Sequence, residues 1–196
     1  MLFRSTLTAD RFGNANAAYS FDGVNDFISF DILALPTGNA PRSVSVWYKQ
    51  LAVSNSDNTA SSIFHYGLIE QNRRFCVLLW PITPVIIGES NDVSYTYASQ
   101  LTGIQPSEDL AVWKNLVVSF NGDIIECFID GQFSFSTVKS YNTALSSFML
   151  GKAFDTHHQG EFFNGMIDDV TIYNRALSPS EIQQLYIAQS YAWSTG

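Results

Sequence analysis

An all-β chain closed by one short C-terminal helix is what this sequence predicts, and three observations carry the prediction. Phe and Tyr dominate a composition that is 46% hydrophobic and 14% aromatic, and such residues suit a pleated, half-buried surface. Apolar and polar residues alternate in short runs, the period-2 signature of strands, with no long stretch at the helical period. Asn121-Gly122 and Asp130-Gly131 each separate two such runs, and these dipeptides supply the positive φ angles of tight hairpins. At 196 residues the chain reads as one domain, 1–196, long enough to bury a two-layer core.

Charge and cysteine usage narrow the function classes. A formal net charge of −8 argues against a surface that tracks phosphates, because nucleic-acid affinity comes largely from Lys and Arg; cations and neutral ligands fit better. No run of 18 apolar residues is present, so no membrane-spanning helix is predicted. The opening Met-Leu-Phe-Arg-Ser-Thr is too short and polar for a secretory signal, so the chain is read as a piece of a larger exported protein, with an intracellular protein as the alternative. Cys76 and Cys127 lie in apolar, strand-like runs, which favours buried free thiols over a disulfide.

In chain order, Ala18 to Asp22 and Phe27 to Phe30 read as strands flanking the acidic loop Asp22-Gly23-Val24-Asn25-Asp26. Ser43 to Lys49 sets Val44, Val46 and Tyr48 against Ser45, Trp47 and Lys49, a central strand. Leu51 to Ser62 is a polar loop. Ile63 to Tyr66 and Arg74 to Trp80 pair across a turn near Glu70 to Arg73, and Pro81 and Pro84 end that ladder. Val85 to Asp109 is a looser, variable middle. Trp113 to Phe120, Asp123 to Asp130 and Gln132 to Thr137 form a three-strand meander, followed by a strand at Phe148 to Gly151 and a loop at Lys152 to Asn164.

The most informative stretch is Asn164 to Tyr186, NGMIDDVTIYNRALSPSEIQQLY. Its alternation places Met166, Asp168, Val170 and Ile172 on one side of a strand. An acid on that apolar side needs a cation or donors to offset its desolvation. Ser178-Pro179-Ser180-Glu181 then reads as an N-cap serine, a proline at the first helical position and a glutamate that completes a capping box. Ile182, Leu185 and Tyr186 form one stripe of the helix that follows.

This stretch resembles the C-terminal signature of laminin-G-like domains of the concanavalin A-like lectin/glucanase superfamily, Gly-x-Ile-Asp-Asp-Val-x-Ile-Tyr-Asn-Arg-Ala-Leu-Ser-x-x-Glu-Ile-x-x-Leu-Tyr. The Asp10-Arg11-Phe12-Gly13-Asn14-Ala15 run, the Phe21 to Ile28 loop (Phe-Asp-Gly-x-x-Asp-Phe-Ile), the Ser43 to Lys49 strand and the Asp-Gly hairpins are similar to the same pattern. The resemblance implies a two-sheet antiparallel jelly-roll sandwich whose first part lies beside its last strand. It also implies that a strand precedes Asp10, for which Met1 to Ala9 are the residues available.

Three kinds of chemistry follow as expectations. A structural calcium ion is expected at Asp22, Asn25, Asp26, Asp168 and Asp169, because calcium takes six to eight oxygens and such a loop mixes carboxylate, amide and carbonyl donors. Its affinity would be on the order of 0.1 to 1 mM, as in extracellular modules; the competing reading is that these residues only cap turns. A polysaccharide or glycan platform is expected from Trp80, Tyr95, Tyr97, His65, His157 and His158, since sugar C–H faces pack on aromatic rings. Trp47 and Trp113, by contrast, match structural tryptophans of the family. Catalysis is not expected: retaining hydrolysis needs two carboxylates about 5 to 5.5 Å apart, and no strand carries the alternating acids that would supply them. The reading is a non-catalytic carbohydrate-binding module of an extracellular protein, with a protein-interaction scaffold as the alternative and a polysaccharide hydrolase or lyase as a weaker one.

Overall fold

Alternation in the sequence resolves into two antiparallel sheets that share a core. The computed structural model describes residues 2–3, 5–31, 34–52, 60–68, 70, 72–79, 86–87, 109–153 and 161–191. The N-terminal half contributes β1 (Leu2–Phe3), β2 (Thr6–Thr8), β3 (Ala18–Asp22), β4 (Ile28–Phe30) and β5 (Arg42–Gln50). The middle contributes β6 (Ser61–Gly67), β7 (Arg74–Leu79), β8 (Ile86–Ile87), β9 (Trp113–Phe120), β10 (Ile124–Ile129) and β11 (Gln132–Val138). The chain ends with β12 (Phe148–Leu150), β13 (Lys152–Ala153), β14 (Glu161–Phe162), β15 (Asn164–Tyr173) and the helix α1 (Pro179–Ser190).

The larger sheets have the orders β11-β10-β9-β5-β15-β3-β2 and β1-β4-β12-β6-β7-β8, and a two-stranded ribbon pairs β13 with β14 within the stretch the sequence reads as a loop. The first part of the domain does lie beside its last strand, with Asn164 opposite Asp22 and Ile167 opposite Tyr19. The residues before Asp10 hold two short strands rather than one: β2 pairs with β3, and β1 with β4 in the other sheet. The Asp22 to Asp26 loop therefore carries the chain from one sheet to the other. The meander is as expected, and Asp130 and Gly131 both take positive φ, 51° and 73°, as a two-residue hairpin turn demands.

Between the sheets, Val44, Val46 and Tyr48 of β5 and Leu116, Val118 and Phe120 of β9 face Phe64, Tyr66, Phe75 and Phe148. Phe148 stacks on Phe30 and Phe64 at centroid separations of 5.3 and 5.7 Å, so truncating it to Ala costs about 3 to 5 kcal/mol. Arg42 is fully buried in this core. It donates to the carbonyls of Ala40, Gly38 and Pro36 and to the Tyr66 hydroxyl, which satisfies a charge that would otherwise be costly there. Cys76 and Cys127 are buried free thiols on strands of different sheets.

Helix α1 packs on the outer face of the seven-stranded sheet. Ile182 and Leu177 bury against Val117 and Phe128, with Leu185 and Tyr173 alongside. Ser119 donates to the Leu177 carbonyl and Ser43 accepts from the Leu177 amide, each at 3.0 Å, which docks the turn before the helix. The capping box forms as the sequence predicts, with Ser178 and Glu181 exchanging side-chain to backbone hydrogen bonds. Among the described residues, no helix is long and apolar enough to cross a membrane.

β15 departs from simple alternation. Its pairing with β5 shifts register between Asp168 and Thr171, and Asp169 sits at φ +43°. A bulge of this kind changes which side chains face which side. Ile167 lies in the core before it, and Val170 and Ile172 pack on the core after it. Asp168, opposite Trp47, thus shares the outer, helix-bearing face and not the side of Val170 and Ile172 that unbroken alternation assigns to it.

Candidate functional site

The partner that Asp168 needs is Arg11. The Asp10 carboxylate holds the loop that presents this arginine, accepting from the amides of Phe12 at 2.8 Å and Asn14 at 2.9 Å, while Asn14 Nδ2 donates to its second oxygen at 2.8 Å. Arg11 Nη1 then donates to Asp168 Oδ2 at 2.6 Å and Nη2 to Asp169 Oδ2 at 2.7 Å. Nε and Nη2 also reach the Gln189 carbonyl at 3.1 and 2.8 Å. The guanidinium lies 4.4 Å from the Phe12 ring centroid and 4.5 Å from that of Trp47.

One cation therefore joins the N-terminal loop, the last strand and the end of the helix. Trp47 reinforces the junction by stacking on Tyr186 at 5.7 Å and donating from Nε1 to Gln189 Oε1 at 3.0 Å. Planar geometry with several donors is what suits arginine to such a place. Both Arg11 and Asp168 are nearly enclosed, at 7% and 6% side-chain exposure, whereas Asp169 is 49% exposed. Burial, and next the like charge of Asp169, pushes the Asp168 carboxyl above the usual range, with Arg11 pulling the other way. The bulge at Asp169 lets both acids reach one guanidinium, although adjacent side chains of a regular strand point oppositely.

The five expected calcium ligands do not converge. Asp22 pairs with Asn164 at one end of β15, and Asp168 lies four residues further along, about 13 Å away at strand rise. Within the loop, Asp22 Oδ1 accepts from the amides of Val24, Asn25 and Asp26 at 2.8, 3.0 and 3.3 Å, and Asp26 accepts from the Asp22 amide at 3.1 Å. The Asn25 and Val24 amides in particular lower the Asp22 pKa. These residues do not fit a cage shared between the loop and β15: the loop acids cap their own turn, and Arg11 supplies the cation at Asp168. No cluster of three or more His, Cys, Asp or Glu placed to hold a metal occurs among the described residues.

Of the expected glycan platform, Trp80, Tyr95, Tyr97, His157 and His158 lie outside the described residues. His65 lies within β6, opposite Cys76 and Met149 in its two neighbouring strands, and is 2% exposed. It offers no ring face to a sugar, because β6 is an interior strand buried along its length.

An open recess of about 330 Å³ adjoins the junction instead. Phe12, Asn14, Asp169, Gln189 and Tyr191 line it together with Arg11, and Tyr191 is 72% exposed. Two exposed rings beside amide and carboxylate groups are suited to a polyhydroxylated ligand: rings take C–H faces, and amides and acids take hydroxyl pairs. Arg11, Phe12 and Asn14 enter the sequence only as part of a family-like motif, with no ligand role, and Gln189 and Tyr191 carry no motif at all. The Asx pattern Asp10 to Asn14 was the signal available, since it marks a rigid, exposed loop.

Residues 22–183 match a laminin-G family model described as the concanavalin A-like lectin/glucanases superfamily. No curated protein matches the chain. Among solved structures, domain 4 of an extracellular GH43 arabinanase from Geobacillus stearothermophilus, in complex with arabinotriose, is similar at TM-score 0.65 and 22% identity, covering 93% of this chain and 87% of that one. The botulinum neurotoxin serotype D ligand binding domain, in complex with N-acetylneuraminic acid, is similar at TM-score 0.67 and 15% identity. That match covers 95% of this chain but only 46% of the other. A heptameric SAP-like pentraxin from Limulus polyphemus is similar at TM-score 0.61 and 16% identity, with coverages of 85% and 80%. At these identities the likeness is one of fold.

Proposed function

The chain belongs to the concanavalin A-like lectin/glucanases superfamily, and on that footing we propose that it is a non-catalytic carbohydrate-binding module of an exported protein, acting outside the cell or at its surface. Its ligand is a polysaccharide or oligosaccharide, and its recess is the one between the Asp10 to Asn14 loop and the end of α1. The observation that carries the reading is the pairing, in one open recess, of the Phe12 and Tyr191 rings with the polar groups of Asn14, Asp169 and Gln189. Two structures of the same fold with oligosaccharide or sialic acid bound support the ligand class.

A binding role is favoured over hydrolysis by the state of the acids. Asp168 and Asp169 are neighbours, but Arg11 ion-pairs with both and both Asp168 oxygens are engaged, so the two do not supply the acid and nucleophile pair that retaining glycoside hydrolysis requires. A glycan array that includes arabinan fragments and sialylated glycans tests the proposal. Binding to at least one oligosaccharide, weakened tenfold or more in Tyr191→Ala and Asn14→Ala, is the expected outcome. Silence across the array, or release of reducing ends from a bound polysaccharide, would overturn it.

A further inference from the structure

Asp169 borders a second opening of different character. β3 pairs with β15 only as far as Tyr19 opposite Ile167. Beyond that point a cleft of about 310 Å³ opens, walled by Tyr19, Phe21, Ile28, Phe30, Leu150 and Val170. Asp168 and Asp169 also line it, and among the described residues no Lys, Arg or His does. Its volume sits at the lower end of the range for small-molecule pockets, about 300 to 1,000 Å³.

The wall chemistry selects the occupant. A sugar would bury hydroxyls against Phe, Ile and Leu, and each hydroxyl left unpaired there is costly. An apolar acid would meet the Asp169 carboxylate. Charge complementarity points the other way: one guanidinium serves two acids, which leaves the Arg11, Asp168 and Asp169 group with one uncompensated negative charge. Both Asp168 oxygens are engaged, by Arg11 and by the Asp169 amide. Asp169 is half-exposed, and only one of its oxygens accepts a hydrogen bond from a described residue. Its backbone is held in the left-handed region by the bulge, a conformation that tends to persist where a side chain must be aimed.

We propose that this cleft binds a small hydrophobic amine, with a single ring or branched aliphatic body between the sheets and its ammonium on the second oxygen of Asp169. The cleft adjoins the sugar recess through Asp169, which lines both, but the proposal does not rest on the sugar reading. The amine adds the missing positive charge, and its body covers the apolar walls that the early end of β3 leaves open.

Titration with benzylamine, followed by calorimetry and backbone amide shifts, tests it against benzyl alcohol and benzoate as neutral and anionic controls. Benzylamine should bind at least tenfold more tightly than either control and shift amides of β3, β4 and Asp168 to Val170. Asp169→Asn should remove most of that preference while leaving the weak binding of benzyl alcohol unchanged. Ala17→Trp, at an exposed position lining the cleft, should block both compounds without lowering the melting temperature. Equal binding of all three compounds, benzylamine affinity unaltered by Asp169→Asn, or shifts confined to other surfaces would overturn the proposal.

Discussion

Arg11 decides how the two ends of the chain are held. Removing one partner of a buried pair leaves an uncompensated charge, so Arg11→Ala should destabilise by about 3 to 5 kcal/mol in denaturant melts, and Asp168→Ala by a similar amount. Arg11→Lys should recover little of this, because one ammonium cannot reach Asp168, Asp169 and the Gln189 carbonyl in the same plane. A double-mutant cycle on Arg11 and Asp168 that showed no coupling would contradict this role. The need for a partner was legible from an acid in an apolar run. Its identity was not, since Arg11 and Asp168 are 157 positions apart and local pattern carries no information about such a pair.

His65 gives a separate test by pH. Burial, and next the charge of Arg74, lowers its pKa to about 3 from 6.5, so the folded protein holds it neutral. The unfolded chain takes up a proton below about pH 6.5 while the folded one does not until about pH 3. Stability is therefore full above 6.5 and declines as pH falls through that window, by up to about 1.4 kcal/mol per unit. Urea melts of His65→Leu between pH 7 and 4 should show a flatter profile than the parent; parallel profiles would refute the assignment.

Among the elements, α1 was the most legible and β15 the most misleading. The Ser178 to Glu181 box announces the helix start from sequence alone, and Ser178→Ala should cost about 1 kcal/mol. Bonding to Arg175, then to the Ser178 amide and hydroxyl, lowers the Glu181 pKa to about 2 from 4.5. The cap's contribution is thus present above about pH 4.5 and is lost as pH falls towards 2, which far-UV circular dichroism of the parent against Glu181→Gln would reveal. β15 misled because period-2 reasoning assumes an unbroken ladder. A single bulge residue, Asp169, reassigns everything on one side of it. Gly165 shows a constraint of another kind in the same strand: a Cβ there would meet the Lys49 carbonyl oxygen at 2.2 Å, so Gly165→Ala should push β15 from β5 and lower the melting temperature.

For the molecule as a whole, the two-sheet architecture was legible because alternation and hairpin dipeptides report directly on faces and turns. The position of the ligand recess was not. It is assembled from the Asp10 to Asn14 loop and the last turn of a helix, brought together by an arginine whose hydrogen bonds are all long-range. The five expected calcium ligands stay apart for a related reason: β3 does lie beside β15, but the register places Asp22 at one end of β15 and Asp168 well along it. Because Arg11 already supplies the cation at Asp168, saturating EDTA should leave the melting temperature unchanged, and a fall of several degrees would show that a metal holds the ends together. The most direct test of carbohydrate binding at this recess is an NMR titration of the isotope-labelled chain with the best oligosaccharide from the array. Amides of Asp10 to Asn14 and Ala188 to Tyr191 should shift together and saturably, and Tyr191→Ala should abolish the shifts; saturable shifts confined to the region around Trp80, or none at all, would contradict the assignment.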